Sequence, residues 1–236
     1  MSDESHTLQT FVNPLLFFSL DPLFTGRGLK KKRFSSASFL RDLVGKPTLD
    51  ARKEIEARHE SVAPLENDLY CVPDDPRLLA RIVWPLRLAK ATYLLGGYLA
   101  CIALAGTVGE TVAVFVFNLA RLTLRGKSVD RGIQRGLFGG SFEELSQYRR
   151  TRVLAVLGLW DDQHTQKADE LRTIRNKYLH RLSVDLTEIQ QDALQAYALA
   201  VQLAAAAINL PIGAEGTVKI TPQLRRYLKQ AKAQDG

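Results

Sequence analysis

The chain has 236 residues, 46% of them hydrophobic, with a formal net charge of +7 and an isoelectric point near 9.5. This is enough apolar residue for one large domain, or for a core domain with an appendage. Its two cysteines, Cys71 and Cys101, exclude a disulfide framework and a cysteine-rich metal site and point to a reducing, cytoplasmic compartment. The basic balance suits a polyanionic partner such as nucleic acid or an anionic membrane surface.

Residues 1–75 read as an N-terminal extension, partly irregular and basic. The acidic start Met1-Ser2-Asp3-Glu4, and Pro14 inside the first apolar run, argue against a signal peptide. Arg27-Gly28-Leu29-Lys30-Lys31-Lys32-Arg33 carries five positive charges and no acid, which fits either a phosphate-contacting arm or a solvated loop. Leu40–Val44 and Ala51–His59 are candidate helices, the second with Asp50 as its N-cap. Val72-Pro73-Asp74-Asp75-Pro76 reads as a linker, which places the domain boundary after residue 75.

From Pro76 onward the pattern is helical. Arg77–Leu88 is amphipathic, and Pro85 is expected to bend it or end its first part. Tyr93–Ala120 is long and apolar, with Glu110 as its one charge. Its length permits a membrane span flanked by Lys90 and Arg121. A carboxylate at that depth is costly in lipid, however, and the central helix of a soluble bundle is also apolar all round. Arg121–Gly140 reads as a basic connection, with Arg121, Arg125, Lys127, Arg131 and Arg135 set against Asp130. Ser141-Phe142-Glu143-Glu144 resembles a capping box opening a helix to about Leu157. A loop follows, and Thr165 or Asp162 is expected to cap a helix over Gln166–Leu182. Thr187 is expected to cap Glu188–Asn209, Pro211-Ile212-Gly213 to stop it, Val218–Ile220 to be extended, and Pro222–Ala233 to form a basic terminal helix. The expected fold class is all-α: a bundle over residues 76–210 with short connections, then a basic tail over 211–236. The sequence has no Gly-rich phosphate loop after a strand, no histidine pair at i, i+4 and no nucleophile elbow, so no metal or other cofactor is expected.

One segment gathers chemistry. In Leu171-Arg172-Thr173-Ile174-Arg175-Asn176-Lys177-Tyr178-Leu179-His180-Arg181, apolar positions recur at helical spacing, while the others supply cations, an amide and an imidazole. On a continuous helix Asn176 and His180 lie one turn apart on one stripe, with Arg175 offset by about 140° from His180. An imidazole can shuttle protons near neutral pH, and an arginine beside it can hold a phosphate and offset developing charge. Those are the needs of RNA cleavage through 2′-hydroxyl attack. The same residues also fit a plain basic helix face.

Arg175-Asn176-Lys177-Tyr178-Leu179-His180 resembles the Arg–polar–spacer–His motif of the HEPN superfamily, all-α bundles many of which are metal-independent endoribonucleases in toxin–antitoxin, abortive-infection and other anti-phage systems. Gly97–Glu110 resembles the small-residue early helix of that family, ending in an acid, and the Ser141–Leu145 segment and Gly158-Leu159 turn fit its layout. The resemblance covers roughly residues 76–210 and implies an up-and-down helical bundle with an irregular N-terminal extension. It implies Arg175 and His180 as catalytic residues, Asn176 as the residue orienting them, and Glu110 as the buried acid holding Arg175 or His180. It also implies RNA as partner, a homodimer with the motifs meeting at the interface, and an antitoxin or defence-complex component as a further partner. Arg121, Arg125, Arg131, Arg135, Arg149 and Arg150 are candidates for sequence-independent contacts to the RNA backbone. The alternatives are a non-catalytic HEPN dimerisation module and a membrane-anchored protein.

Overall fold

Residues 10–12, 49–66, 71–73, 75–120, 123–124, 127–180, 183–210 and 220–234 are described by a computed structural model, and they are predominantly helical. The basic run at residues 27–33, the candidate helix at 40–44, Arg121, Arg125, Arg181 and the stretch 211–219 lie outside the described residues.

Helix α1 (Leu49–Val62) takes Asp50 into its first turn rather than leaving it outside as a cap. It buries Ile55 and Val62. Arg58 donates to the carbonyl of Leu94 at 2.8 Å, placing a cation where a neighbouring helix ends with unsatisfied carbonyls. Strands β1 (Thr10–Val12) and β2 (Cys71–Pro73) pair antiparallel with Phe11 opposite Val72, and the amide of Leu210 donates to the carbonyl of Cys71 at 2.8 Å. Val62, Cys71 and Val72 share one hydrophobic core with the helices that follow, so the expected boundary after residue 75 is crossed by packing.

Helix α2 opens at Pro76–Leu78, widens to π geometry over Leu79–Val83 and continues as α-helix over Trp84–Leu94. Asp75 caps it, its Oδ1 accepting from the amides of Arg77 and Leu78 at 3.0 and 3.1 Å. Pro85 lies in the first turn of the last stretch, so the first part of the helix does end just before it. The wider turn just before it, with the amide of Trp84 donating to the carbonyl of Leu79, accommodates a residue that has no N–H and whose ring crowds the preceding turn.

Gly96, at φ 81°, makes the left-handed turn into α3 (Tyr98–Ala120). This helix packs against α2 and against the later helices of the bundle. It is the one helix among the described residues long and apolar enough to cross a membrane, and half of its most apolar stretch is buried within the protein.

The segment expected as a plain basic connection holds a small hairpin, β3 (Thr123–Leu124) with β4 (Lys127–Ser128), and helix α4 (Arg131–Phe138) capped by Asp130. The Glu144 carboxylate accepts from the amide of Ser141 at 2.9 Å, as a capping box requires. It heads only a 3-10 turn, Phe142–Glu144, because Leu145 is extended (φ −67°, ψ 147°) and interrupts the helix. Helix α5 (Gln147–Val156) then starts afresh with Ser146 as its cap.

Helix α6 (Asp162–Leu179) begins earlier than expected. Asp161 is its cap, with Oδ1 accepting from the His164 amide at 2.8 Å, and Thr165 is buried inside the first turn. Helix α7 (Ile189–Ile208) starts after Glu188, which makes no side-chain cap. Thr187 is not its cap and instead donates its amide to Asp185 at 2.9 Å. Helix α8 (Pro222–Gln234) buries Leu224 and Leu228 and sets Tyr227 edge-on to Phe115 with centroids 5.2 Å apart. The described residues are thus all-α apart from two short antiparallel ladders, one between distant segments and one a hairpin.

Candidate active site

The site is built at the seam of α3 and α6, where glycines allow a close approach. A Cβ at Gly109 would stand 2.7 Å from Cδ2 of Leu171, and one at Gly106 would stand 2.5 Å from Cδ of Arg175. With no side chain at Gly106, the Arg175 stem lies directly on α3. One turn further along α3, the Glu110 carboxylate accepts from Nη1 of Arg175 in a direct ion pair. The two residues are 65 positions apart in the chain. Nη2 of Arg175 also reaches Oδ1 of Asn176 at 3.4 Å.

A second guanidinium faces the same carboxylate from α5. Nη1 of Arg150 lies 3.9 Å from Oε2 of Glu110, while its Nη2 donates to the carbonyl of Glu143 at 2.7 Å. The Arg150 and Arg175 side chains are 13% and 19% exposed, against 33% for Glu110. Glu110 therefore holds two nearly buried cations with one negative charge, a geometry in which desolvation makes each partner necessary to the other. Nε of Arg150, Arg172 and Arg175 are all buried, with no hydrogen-bond partner among the described residues.

His180 closes the helix. It is the residue on which α6 ends, with φ −120° and ψ 2°, and it is exposed. As the capping residue His180 still follows Asn176 by one turn, but its own backbone is no longer helical. No hydrogen bond or ion pair joins His180 to Glu110, Arg175 or Asn176 among the described residues.

Just before His180, α6 is clasped to α7. Nζ of Lys177 lies 2.8 Å from Oδ2 of Asp192 and 3.0 Å from Oε2 of Glu188, and the Tyr178 hydroxyl donates to the same Asp192 oxygen at 2.7 Å. Burial, and then the hydrogen bond to Asp192, push the Tyr178 hydroxyl above its ordinary pKa. The bonds to Asp192, Tyr178 and Glu188 raise Lys177 likewise. Lys177 is thus a structural clasp rather than an ordinary surface charge.

The described basic candidates diverge. Arg150 turns inward, whereas Arg131, Arg135 and Arg149 are exposed. Arg149 donates to the carbonyl of Phe138 at 2.7 Å, Arg131 lies 3.9 Å from Glu143, and Arg135 faces Glu144 closely enough to help lower its pKa, behind the dominant bonds from Ser141. Sequence reasoning missed a further group. Tyr148 on α5 is flanked by Arg152 and Arg172 at 5.1 and 5.3 Å from its ring centroid, and both arginines pair with Asp169, at 2.8 and 3.4 Å. The run Tyr148-Arg149-Arg150-Thr151-Arg152, an aromatic among cations, was the available signal. Chemically, the seam offers two guanidiniums for an anion, with an exposed imidazole at the end of the same helix.

No protein-family model, no curated protein and no solved structure matches the chain.

Proposed function

We propose that the protein is a cytoplasmic, metal-independent endoribonuclease of the HEPN type, an up-and-down bundle acting as a homodimer in bacterial defence. The observation that carries this reading is the pairing of Glu110 with Arg175 across the α3–α6 seam, at the two positions that the resemblance marks as acid and motif arginine. An acid interrupting an apolar helix has its cationic partner there, which supports a core role for α3 rather than a membrane span. In this mechanism His180 acts as general base toward the 2′-hydroxyl and then as general acid toward the leaving 5′-oxygen. Arg175, with Arg150 beside it, receives the scissile phosphate, and Asn176 and Glu110 fix the guanidinium. His180 makes no hydrogen bond with Arg175 within one chain, and in this reading the facing copy, related by a two-fold axis, supplies a second Arg175 and His180 to the shared cleft. Purified protein is expected to cleave RNA in EDTA, and Arg175→Ala and His180→Ala to abolish cleavage. Cleavage that survives both substitutions, or that requires a divalent metal, overturns the mechanism.

A second reading is favoured by the lack of any bond between His180 and Arg175 among the described residues. With Arg175 held by Glu110 and His180 exposed at the helix end, the bundle also suits a non-catalytic HEPN interaction module, dimeric or bound to an antitoxin or other defence component. That reading expects dimerisation without cleavage and without growth arrest on expression.

A further inference from the structure

Helix α2 carries two apolar stripes, and the core uses only one of them. Leu86, Ala89, Tyr93 and Leu94 are buried and hold the helix on the bundle. On the opposite side Trp84 and Leu88 are 39% and 53% exposed, and partly buried Ala91 and the capping residue Leu95 continue their line. Positions 84, 88, 91 and 95 are spaced so that their side chains fall within about 60° of one another around a helix. The same stretch supplies cations and no acid: between Asp75 and Glu110 the sequence has Arg77, Arg81, Arg87 and Lys90 and no carboxylate. Asp75 meets Arg77 at 3.2 Å. Arg81, exposed three residues before Trp84, makes no hydrogen bond or ion pair with the described residues. Arg87 lies over the Trp84 ring, 4.7 Å from its centroid.

We infer that this outer stripe of α2 is a docking surface for an amphipathic helix of another protein, apolar along one face and acidic on its flanks. An apolar line at this spacing is what a second helix covers when two helices pack side by side. Arg81 and Arg87 complement carboxylates on the flanks of such a helix and repel a basic one. The indole of Trp84 is the kind of large side chain that anchors an interface. A second copy of the chain is a poorer occupant, because stripe against stripe adds cations to cations and brings no acid from α2. An anionic membrane is poorer too, since polybasic membrane sites gather about four to eight cations where this stripe has Arg81 and Arg87. The inference goes beyond the RNA reading and does not depend on it.

The test is fluorescence anisotropy of labelled synthetic peptides titrated with the full chain. One peptide is a helix with leucines along one face and glutamates on the flanks, a second has lysines in place of the glutamates, and a third is the first scrambled. The acidic helix is expected to bind saturably and the other two at least tenfold more weakly. Leu88→Asp is expected to weaken the acidic helix roughly tenfold or more. The double variant Arg81→Glu, Arg87→Glu is expected to prefer the lysine-flanked peptide. If Leu88→Asp fails to fold, judged by its melting curve, Trp84→Ala takes its place with the same expected loss. Absence of saturable binding by the acidic helix overturns the docking surface. So does equal binding of the scrambled peptide, which reports net charge alone, or binding indifferent to these substitutions. Co-sedimentation with vesicles of phosphatidylserine and phosphatidylcholine is expected to be no stronger for the unsubstituted chain than for Leu88→Asp. Vesicle binding that Leu88→Asp abolishes assigns the stripe to a membrane and overturns the helix partner.

Discussion

Arg175 lies where the side chain of residue 106 would be: a Cβ at Gly106 would stand 2.5 Å from its Cδ and 3.1 Å from its Cγ. The atoms concerned belong to the middle of the arginine stem, between its backbone and the guanidinium that Glu110 holds, so the stem cannot yield without moving the guanidinium. Gly106→Ala is therefore expected to separate Arg175 from Glu110 and to suppress the RNA cleavage proposed for the seam. Stability is expected to fall as well, because parting the pair leaves two partly buried charges, and alanine's helix preference, about 1 kcal/mol over glycine, offsets only part of that loss. Cleavage assays beside a urea unfolding curve check this. Gly136 on α4 is the contrasting case, with nothing within 4 Å of its would-be Cβ, and Gly136→Ala is expected to stabilise by about 0.5–1 kcal/mol with cleavage unchanged.

Removing one member of the Glu110–Arg175 pair leaves the other charge partly buried. A fully buried pair broken in this way costs about 3–5 kcal/mol, and with a third of the Glu110 side chain still exposed a loss of about 1–3 kcal/mol is expected for Glu110→Gln or Arg175→Met. The double variant is expected to be less destabilised than the sum of the singles, with a coupling of about 1 kcal/mol or more in a double-mutant cycle. Additive effects would place the two groups out of contact.

The Lys177–Tyr178–Asp192 clasp makes stability sensitive to alkali. Both Lys177 and Tyr178 have folded-state pKa values above their ordinary 10.5 and 10.0, so above about pH 10 the unfolded chain releases protons that the folded chain keeps. Folding stability from the clasp is then fully present below pH 10 and declines as pH rises through the folded values. In Asp192→Asn the part that comes from the bonds to Asp192 is removed, while the part that burial gives Tyr178 and that Glu188 gives Lys177 stays. The stability gap between wild type and variant, measured by urea unfolding from pH 8 to 11.5, is expected to narrow with pH. A gap that widens would reverse the assignment.

Phe142 connects the 3-10 turn to α3, its ring stacked on Phe117 at 4.0 Å, and the next residue supplies the carbonyl that holds Arg150. Phe142→Ala is expected to destabilise by about 3–5 kcal/mol. Phe142→Leu, which loses the stack but keeps most of the volume, is expected to lose less stability and yet weaken the proposed RNA cleavage through a looser Arg150. Thermal melts and cleavage rates on the two variants check the split.

Much of this was legible locally. The apolar spacing through residues 76–208 marks helices because a residue's neighbours on a helix are three and four positions away, all within view of the sequence. Glu110 was singled out because a lone carboxylate in an apolar run needs a partner, and Arg175, Asn176 and His180 because their side chains carry chemistry. Helix ends were less legible, because capping is a competition among nearby groups. Asp161 won over Asp162 and Thr165, and an extended Leu145 split the helix expected to follow Ser141. Only the tertiary structure decided which cations face what. It turned Arg150 and Arg175 onto Glu110, drew Lys177 to Asp192, left His180 exposed beyond the last turn, and gathered Arg152, Arg172 and Asp169 around Tyr148. The reason is physical. The charges on a helix are read in order along the chain, but their partners sit on other helices, and which partner wins is set by how closely two backbones approach, here by the absence of a side chain at Gly106 and Gly109.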